Sequence, residues 1–451
     1  MNQVPQHPVV IVGAGLAGLA CAKRLSQNGV ACTILEATDR VGGRVRTDHI
    51  SGFTLDHGFQ VLLTAYPACR ELLDYEALNL QPFEPGALIR QNGEFRTLSD
   101  PWRRPSKTLA TVTNPVGSLK DKLGIAKLRH TSKSGTLDEL YHRDHSETLA
   151  RLQRDGFSEK IINEFFRPFL GGVFLDETLS TSSRMLEFVF RMFAGGDIAV
   201  PAGGMADIPR QLADTLPRGT LRFQTSVQSI AQSTDATALH RVIATSRDST
   251  NRDDAGDNQA TQEFQCKHLV IATPSDGAAR LLNRLEMKTE WSGTTNLYFA
   301  SPQPLSSPAL LMLRGDEPGP IQSATVLSNI APAYAPKGRS LISVSVDSQD
   351  DPADGIEDEA LTARVRKQLA QWFGPTAEHW ELIRTYRVPY GLPKRDLDEV
   401  ERDVQAASPG NGLYVIGDHR ETPSIQGAMN SGLRAADAIL AAKPAPLSTS
   451  H

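Results

Sequence analysis

Apolar and polar positions divide the chain into stretches with different periods. Near the N-terminus a β-branched run, Val9-Val10-Ile11-Val12, leads straight into Gly13-Ala14-Gly15-Leu16-Ala17-Gly18. A helical pattern through Leu19, Ala22 and Leu25 then ends near Asn28-Gly29, and a second run from Ala31 to Leu35 closes on Glu36. A short wholly apolar run bounded by glycine marks a strand buried on both faces, so this pattern predicts strand, turn, helix and strand of a parallel sheet. Similar runs recur at His268 to Pro274 and at Gly412 to Ile416, and an apolar helix through Ala435, Ala436, Ile439 and Leu440 follows the second. Between them, a helix is expected over Gln211 to Leu216 and strands at Leu221-Phe223 and Val227-Ile230. Residues 231–262 are polar apart from Ala238 to Ala244, which reads as a hairpin with a long polar loop from Arg247 to Gln259. Residues 96–200 read mainly helical, and 291–390 alternate as strands, for instance Leu297 to Ala300 and Leu341 to Val346.

The glycine loop carries the first chemistry. Gly13 suits the tight turn, Gly15 lets a backbone approach a pyrophosphate, and Gly18 permits close packing of helix on strand, while the first helical turn through Leu16 and Ala17 offers free N–H groups to an anion. Glu36, at the end of the second strand, is placed to accept the hydroxyls of an adenosine ribose. These features together predict dinucleotide binding. Just beyond the acid, Asp39-Arg40-Val41-Gly42-Gly43-Arg44-Val45-Arg46 sets a second glycine pair between arginines. Such a pair lets another backbone segment come close to the cofactor, with Arg44 or Arg46 in reach of its phosphates.

On these residues the chain resembles the superfamily of flavin-dependent amine oxidases, porphyrinogen oxidases and carotene desaturases, in which a glycine pair flanked by arginines follows the first βαβ unit and reaches the ribityl and pyrophosphate of FAD. The resemblance continues at Gly417-Asp418 and in the helix that opens near Gly427. It implies FAD, held without a covalent bond, by Gly13, Gly15, Leu16, Ala17, Gly18, Glu36, Ala37, Arg40, Gly42, Gly43, Arg44, Val227, Ala272, Thr273, Gly417, Asp418, Ile425, Gln426 and Ala428. A helix N-terminus aimed at the flavin's pyrimidine edge would stabilise the anionic reduced form. Asp418 either binds cofactor hydroxyls or caps its own loop.

The implied fold is α/β: a discontinuous Rossmann-type FAD-binding domain (1–95, 201–280 and 391–445) and an α+β substrate-binding domain (96–200 and 281–390), with a tail at 446–451. Length and composition agree: 451 residues, 40% hydrophobic and 22% charged, describe a large folded chain. Lys+Arg 47 against Asp+Glu 52 leaves a net charge of −5, with no basic excess for nucleic acid to read. Cys21, Cys32, Cys69 and Cys266 are scattered, with no paired spacing for a metal, so no metal site and no disulfide is expected. The leader has no secretory pattern and no stretch spans a membrane, which predicts a cytoplasmic protein with at most peripheral membrane contact.

The substrate is the open question. Phe157, Phe165, Phe166, Phe169, Phe174, Phe188, Phe190 and Phe193 gather in one segment, either as core or as the lining of an apolar tunnel. Amine oxidases of the resembled superfamily carry a lysine before an aromatic strand pair and an aromatic cage residue before the last helix; here Thr294 and Ser424 stand in those places. Conversely, the segments Phe166 to Phe174 and Asp56-His57-Gly58-Phe59-Gln60 look more like the desaturase branch. The reading is hydride transfer from an apolar, isoprenoid- or carotenoid-like substrate to flavin N5, with a porphyrinogen or an amine as alternatives. A flavoprotein that merely carries a lipid or pigment is the alternative of another class. With no second G-x-G-x-x-G after a strand, oxygen or a quinone is the expected electron acceptor. Asp56, His57 and His419 are the ionisable groups nearest the flavin segments, and no general base is assigned.

Overall fold

The structure is a computed structural model, and it describes residues 6–104, 115–232, 240–247, 259–346, 358–394 and 410–442. The polar loop at 248–258 and the tail at 446–451 lie outside these residues.

The N-terminal unit forms as its pattern predicts. Strands Gln6–Val12 and Cys32–Leu35 pair in parallel, and helix Leu16–Gln27 crosses between them. Leu221–Arg222 adds in parallel outside Cys32–Leu35, while Gln259–Ile271 adds in parallel on the other side of Gln6–Val12. The long strand Gln259–Ile271 serves two partners. Its first half pairs antiparallel with His240–Arg247, which pairs onward with Thr225–Gln232, and Leu269 to Ile271 pair in parallel with Leu413–Val415. Val9, Val10, Ile11, Leu269, Val270 and Ile271 are fully buried, which is why these strands read as unbroken apolar runs.

A second, seven-stranded sheet runs in the order Glu381–Pro393, Trp291–Ser301, Ser340–Val346, Ile321–Val326, Leu311–Leu313, Gly86–Gln91, Glu94–Ser99. Three of its strands cross the bounds of the sequence reading: Gly86–Gln91 lies before the boundary drawn at residue 95, Glu94–Ser99 straddles it, and Glu381–Pro393 runs past the boundary at residue 390, yet all belong to this sheet. The reason is that Gly86–Gln91 pairs in parallel with Leu311–Leu313, more than 200 residues away, and local periodicity carries no trace of such a partner.

Helix Asp358–Phe373 packs Leu361, Val365 and Leu369 against Leu297, Phe299, Ile342 and Val344 of this sheet, and helix Arg167–Phe174 contacts strand Ile321–Val326. Glu159 to Phe174 is one continuous helical run, but Ile162–Phe166 forms a wider π turn within it. Pro168 accounts for the widening, because it has no N–H and its ring crowds the carbonyl one turn back. Helix Ser183–Gly195 follows, with Ser182 capping its N-terminus.

Candidate functional site

A cavity of about 630 Å³ opens where the strands of the parallel sheet end. The glycine loop forms one wall. Gly13 sits at φ +105°, a conformation open to glycine, and donates to Leu35 O at 2.9 Å. A Cβ on Gly18 would stand 2.2 Å from Gly13 O, so helix and loop touch there with no room for a side chain. A Cβ on Gly15 would meet nothing within 4 Å. Gly15 is the N-cap of helix Leu16–Gln27, with no side chain closing the helix end. The N–H groups of the first turn therefore face open space. The second glycine pair docks against this loop, with Gly42 N donating to Ala14 O at 2.9 Å and Gly43 packed beside Gly15 Cα.

Glu36 is buried and held by donors of the chain itself. Oε2 accepts from Ala14 N at 2.7 Å, and Oε1 accepts from Thr38 N and Thr38 Oγ1, each at 2.8 Å. Oε1 is thereby saturated, and Oε2 keeps a free acceptor site facing the cavity. Val227 stands on the same wall, from a strand whose Thr225 N donates to Glu36 O at 2.8 Å.

Arg44 borders the cavity and also has partners within the chain. It pairs with the buried carboxylate of Asp418, donates to Gly391 O at 3.0 Å and lies 4.9 Å over the Trp291 ring. Arg46 donates to Gly43 O at 2.7 Å. Both arginines brace the loop, and Arg44 neutralises an acid that burial would otherwise penalise.

Helix Ile425–Ala441 begins two residues before Gly427. Ser424 caps it, accepting from Gly427 N at 3.0 Å, and Gly417 N donates to Ser431 Oγ at 3.0 Å. A serine before this helix thus has a structural duty. Ser424, Ile425 and Ala428 line the cavity, and so does Thr294.

Three predicted cofactor positions do not line it. Gly18 serves packing, as just described. Arg40 points outward, 3.4 Å from Asp48. Gln426 turns away from Ile425 and Ala428 on the helix and accepts from Ala68 N at 2.9 Å, tying the helix to Pro67–Leu72. The remaining predicted positions all border the cavity, from Gly13, Gly15, Leu16, Ala17, Glu36 and Ala37 through Gly42, Gly43, Arg44, Val227, Ala272 and Thr273 to Gly417, Asp418, Ile425 and Ala428.

Asp56 lies off the cavity wall and acts as a buried bolt. Its carboxylate accepts from Thr47 Oγ1, from Met205 N at 2.9 Å and from Tyr334 OH at 2.9 Å, while Tyr298 OH donates to its carbonyl at 2.9 Å. Burial pushes the Asp56 carboxyl up to about 6. It also holds both phenols far above their ordinary range, so each remains a donor. His57 does reach the cavity; its Nε2 is 2.8 Å from Asp48 and its ring packs on Tyr386. His419 is buried at the cavity wall.

Sequence reasoning missed Gln60, Arg280 and the sheet residues Gln322, Ser323 and Ser345, all on the cavity wall. Gln60 closes the segment Asp56-His57-Gly58-Phe59-Gln60 quoted above, which was a usable signal. The sheet residues left none, because a polar side chain on a strand reads as solvent-facing.

The phenylalanine cluster is divided between its two readings. Phe169, Phe174, Phe188 and Phe193 line the cavity with Pro168, Val173, Met185 and Val189. Phe157, Phe165, Phe166 and Phe190 pack behind them as core.

The residues fit a flavin dinucleotide. Open space lies in front of uncapped N–H groups at Gly15, and the buried Gln60 Oε1 and Thr273 Oγ1 have no partner among the described residues. Glycine cradle, buried Glu36 and braced second loop fit a dinucleotide-binding flavoprotein with an apolar chamber. The family of flavin containing amine oxidoreductases matches residues 16–440. The chain belongs to that family, a class of FAD-dependent oxidoreductases, and FAD is its cofactor. It is similar to hydroxysqualene dehydroxylase of Rhodopseudomonas palustris, 23% identical over 96% of this chain and 98% of that one. It is also 27% identical to protoporphyrinogen oxidase 2 of Arabidopsis thaliana over 36% of this chain, a match that spans 32% of the Arabidopsis protein. The solved structure of putrescine oxidase with putrescine bound shares the fold, with a TM-score of 0.70 at 19% identity, covering 97% of this chain and all of that one.

Proposed function

We propose that the protein oxidises an apolar isoprenoid-like substrate, the hydride passing from a substrate carbon to the flavin and a proton leaving the neighbouring atom to solvent. One observation carries this reading: every charged side chain on the cavity wall, Glu36, Arg44, Arg46, Arg280 and Asp418, comes from the stretches read as the cofactor domain, and the wall residues of 96–200 and 281–390 are apolar or uncharged. Bound FAD supplies the hydride acceptor at N5. The chain's own residues bind, orient and exclude water. Phe169, Phe174, Phe188 and Phe193 desolvate the substrate, and each aromatic face covered adds roughly 1.5–3 kcal/mol of binding. On the opposite side, the sheet offers a narrow polar strip of Gln322, Ser323, Ser345 and Thr294. Gln322 is held by its own donation to Glu177 at 2.6 Å. That strip suits a single hydroxyl on an otherwise apolar chain, and the name hydroxysqualene in the full-length relative fits the same class. No carboxylate lines the cavity beside that strip to hold an ammonium, since Glu177 is engaged by Gln322 and does not border the cavity, and the carboxylates of a porphyrinogen would find no cation there. Reoxidation by oxygen or a quinone completes the cycle.

The test is anaerobic bleaching of the bound flavin with isoprenoid alcohols, polyenes, porphyrinogens and amines. The proposal expects reduction by an isoprenoid. Fast reduction by an amine or a porphyrinogen, with isoprenoids inert, overturns it.

A further inference from the structure

Three of the largest exposed apolar side chains, Leu119 (59% exposed), Leu123 (64%) and Trp102 (50%), belong to two neighbouring segments far from the cofactor cradle. Helix Leu119–Lys133 carries two of them. Its inner face is settled by contact: Asp121, Leu128 and Ser132 are buried, a Cβ on Gly124 would strike the Phe157 ring at 2.8 Å, and Arg191 donates to the carbonyls of Ser132 and Lys133 at its C-terminal end. At about 100° per residue the opposite face then holds Leu119, Leu123, Ala126 and His130 in a row. Lys120 and Lys127 flank that row on one side, and Lys122, Arg129 and Lys133 on the other. Arg129 stacks 4.8 Å over the Trp102 ring.

The charge of this helix is one-sided. Its single carboxylate, Asp121, is turned inward to accept from Ser118 N at 2.7 Å and Ser158 N at 2.8 Å, and although Asp100 pairs with Arg129 at 3.7 Å, the exposed Lys120, Lys127 and Lys133 keep the outward surface positive in a chain whose net charge is −5. An apolar row between lysines, lying along a helix roughly 22 Å long, matches an anionic lipid surface in both charge and hydropathy. Among the described residues no helix is long and apolar enough to cross a membrane. The helix also packs on Ser183–Gly195, whose Phe188, Val189 and Phe193 face the cavity, so the chamber stands one helix behind this surface.

We propose that the outer face of helix Leu119–Lys133, with Trp102, is a docking surface for anionic lipid bilayers. The surface is independent of which molecule the flavin oxidises, and its test needs no turnover. FAD-loaded full-length protein is floated with vesicles of phosphatidylcholine alone and of phosphatidylcholine with phosphatidylglycerol. The expected result is flotation with the anionic vesicles, weakened by high salt. Leu119→Ser with Leu123→Ser lowers the partition at least tenfold. Lys120→Glu with Lys127→Glu also lowers it by about tenfold. Flavin content and unfolding temperature stay unchanged in both, since these side chains are exposed. Three results overturn the proposal: no flotation of the wild type, equal flotation with neutral vesicles, or a Leu119/Leu123 variant that floats as well as the wild type. Loss of a solution dimer in that variant, without flotation of the wild type, assigns the face to a second copy instead.

Discussion

Gly15→Val isolates the cofactor cradle from the fold. Gly15 has φ −72° and ψ 176°, an extended conformation that valine adopts readily, and its Cβ would meet no atom within 4 Å. The flavin-free variant should therefore fold, losing less than about 1 kcal/mol through the poorer N-cap. Its side chain would occupy the space before the first-turn N–H groups, where a diphosphate oxygen must approach to about 2.9 Å. Losing two charge-assisted hydrogen bonds, each worth about 1.5–3 kcal/mol, costs about 3–6 kcal/mol. That corresponds to a Kd for FAD raised by roughly 10² to 10⁴. The measurement is flavin fluorescence quenching during titration of the flavin-free protein, with a thermal melt run alongside. Gly18→Ala is the control of opposite kind, because its Cβ would collide with Gly13 O at 2.2 Å and lower stability even without FAD. If Gly15→Val binds FAD within threefold of wild type, the pyrophosphate does not lie at Gly15 and the reasoning fails.

Other outcomes follow from the same geometry. The Asp56 carboxyl is raised from 3.8 to about 6 by burial. The folded state thus holds a proton that the unfolded state has lost, and the Asp56-linked stability is full below about pH 4 and lost as pH rises through about 6. Urea midpoints across this range should show that decline, and Asp56→Asn should flatten it. Phe166→Ala empties a fully buried core position and should cost about 3–5 kcal/mol in urea unfolding. Phe169→Ala, on the cavity wall, should cost less stability and instead raise KM for the apolar substrate. Arg44→Ala leaves the Asp418 carboxylate buried without its cation, and should speed flavin release on dilution at least tenfold.

Much of the cofactor half was legible in the chain itself, for a local reason. Strand, glycine turn, helix and acid lie within 28 residues from Val9 to Glu36, and each residue type answers a constraint set by its immediate neighbours. Gly13 needs its positive φ, Gly15 must be small toward a ligand, and buried parallel strands must be apolar along their length. Even the remote pieces at Ala272-Thr273 and Gly417-Asp418 announced themselves, because each ends such a strand. What tertiary structure alone decided was which side chains meet across long separations. Arg44 meets Asp418 across 374 residues of chain, which gives a residue read toward the cofactor phosphates a bracing contact as well. Gly86–Gln91 found its partner beyond residue 310, which set a strand from before residue 95 into the second sheet. Asp56 gathered Thr47, Met205 and Tyr334 into a bolt behind the site, though the sequence set it beside the flavin. Eight phenylalanines of one composition were sorted into four that line a chamber and four that pack behind it. Hydrophobic burial is non-directional and rewards either placement, so only the packing of the surrounding helices and sheet determines which face of each helix meets the empty space.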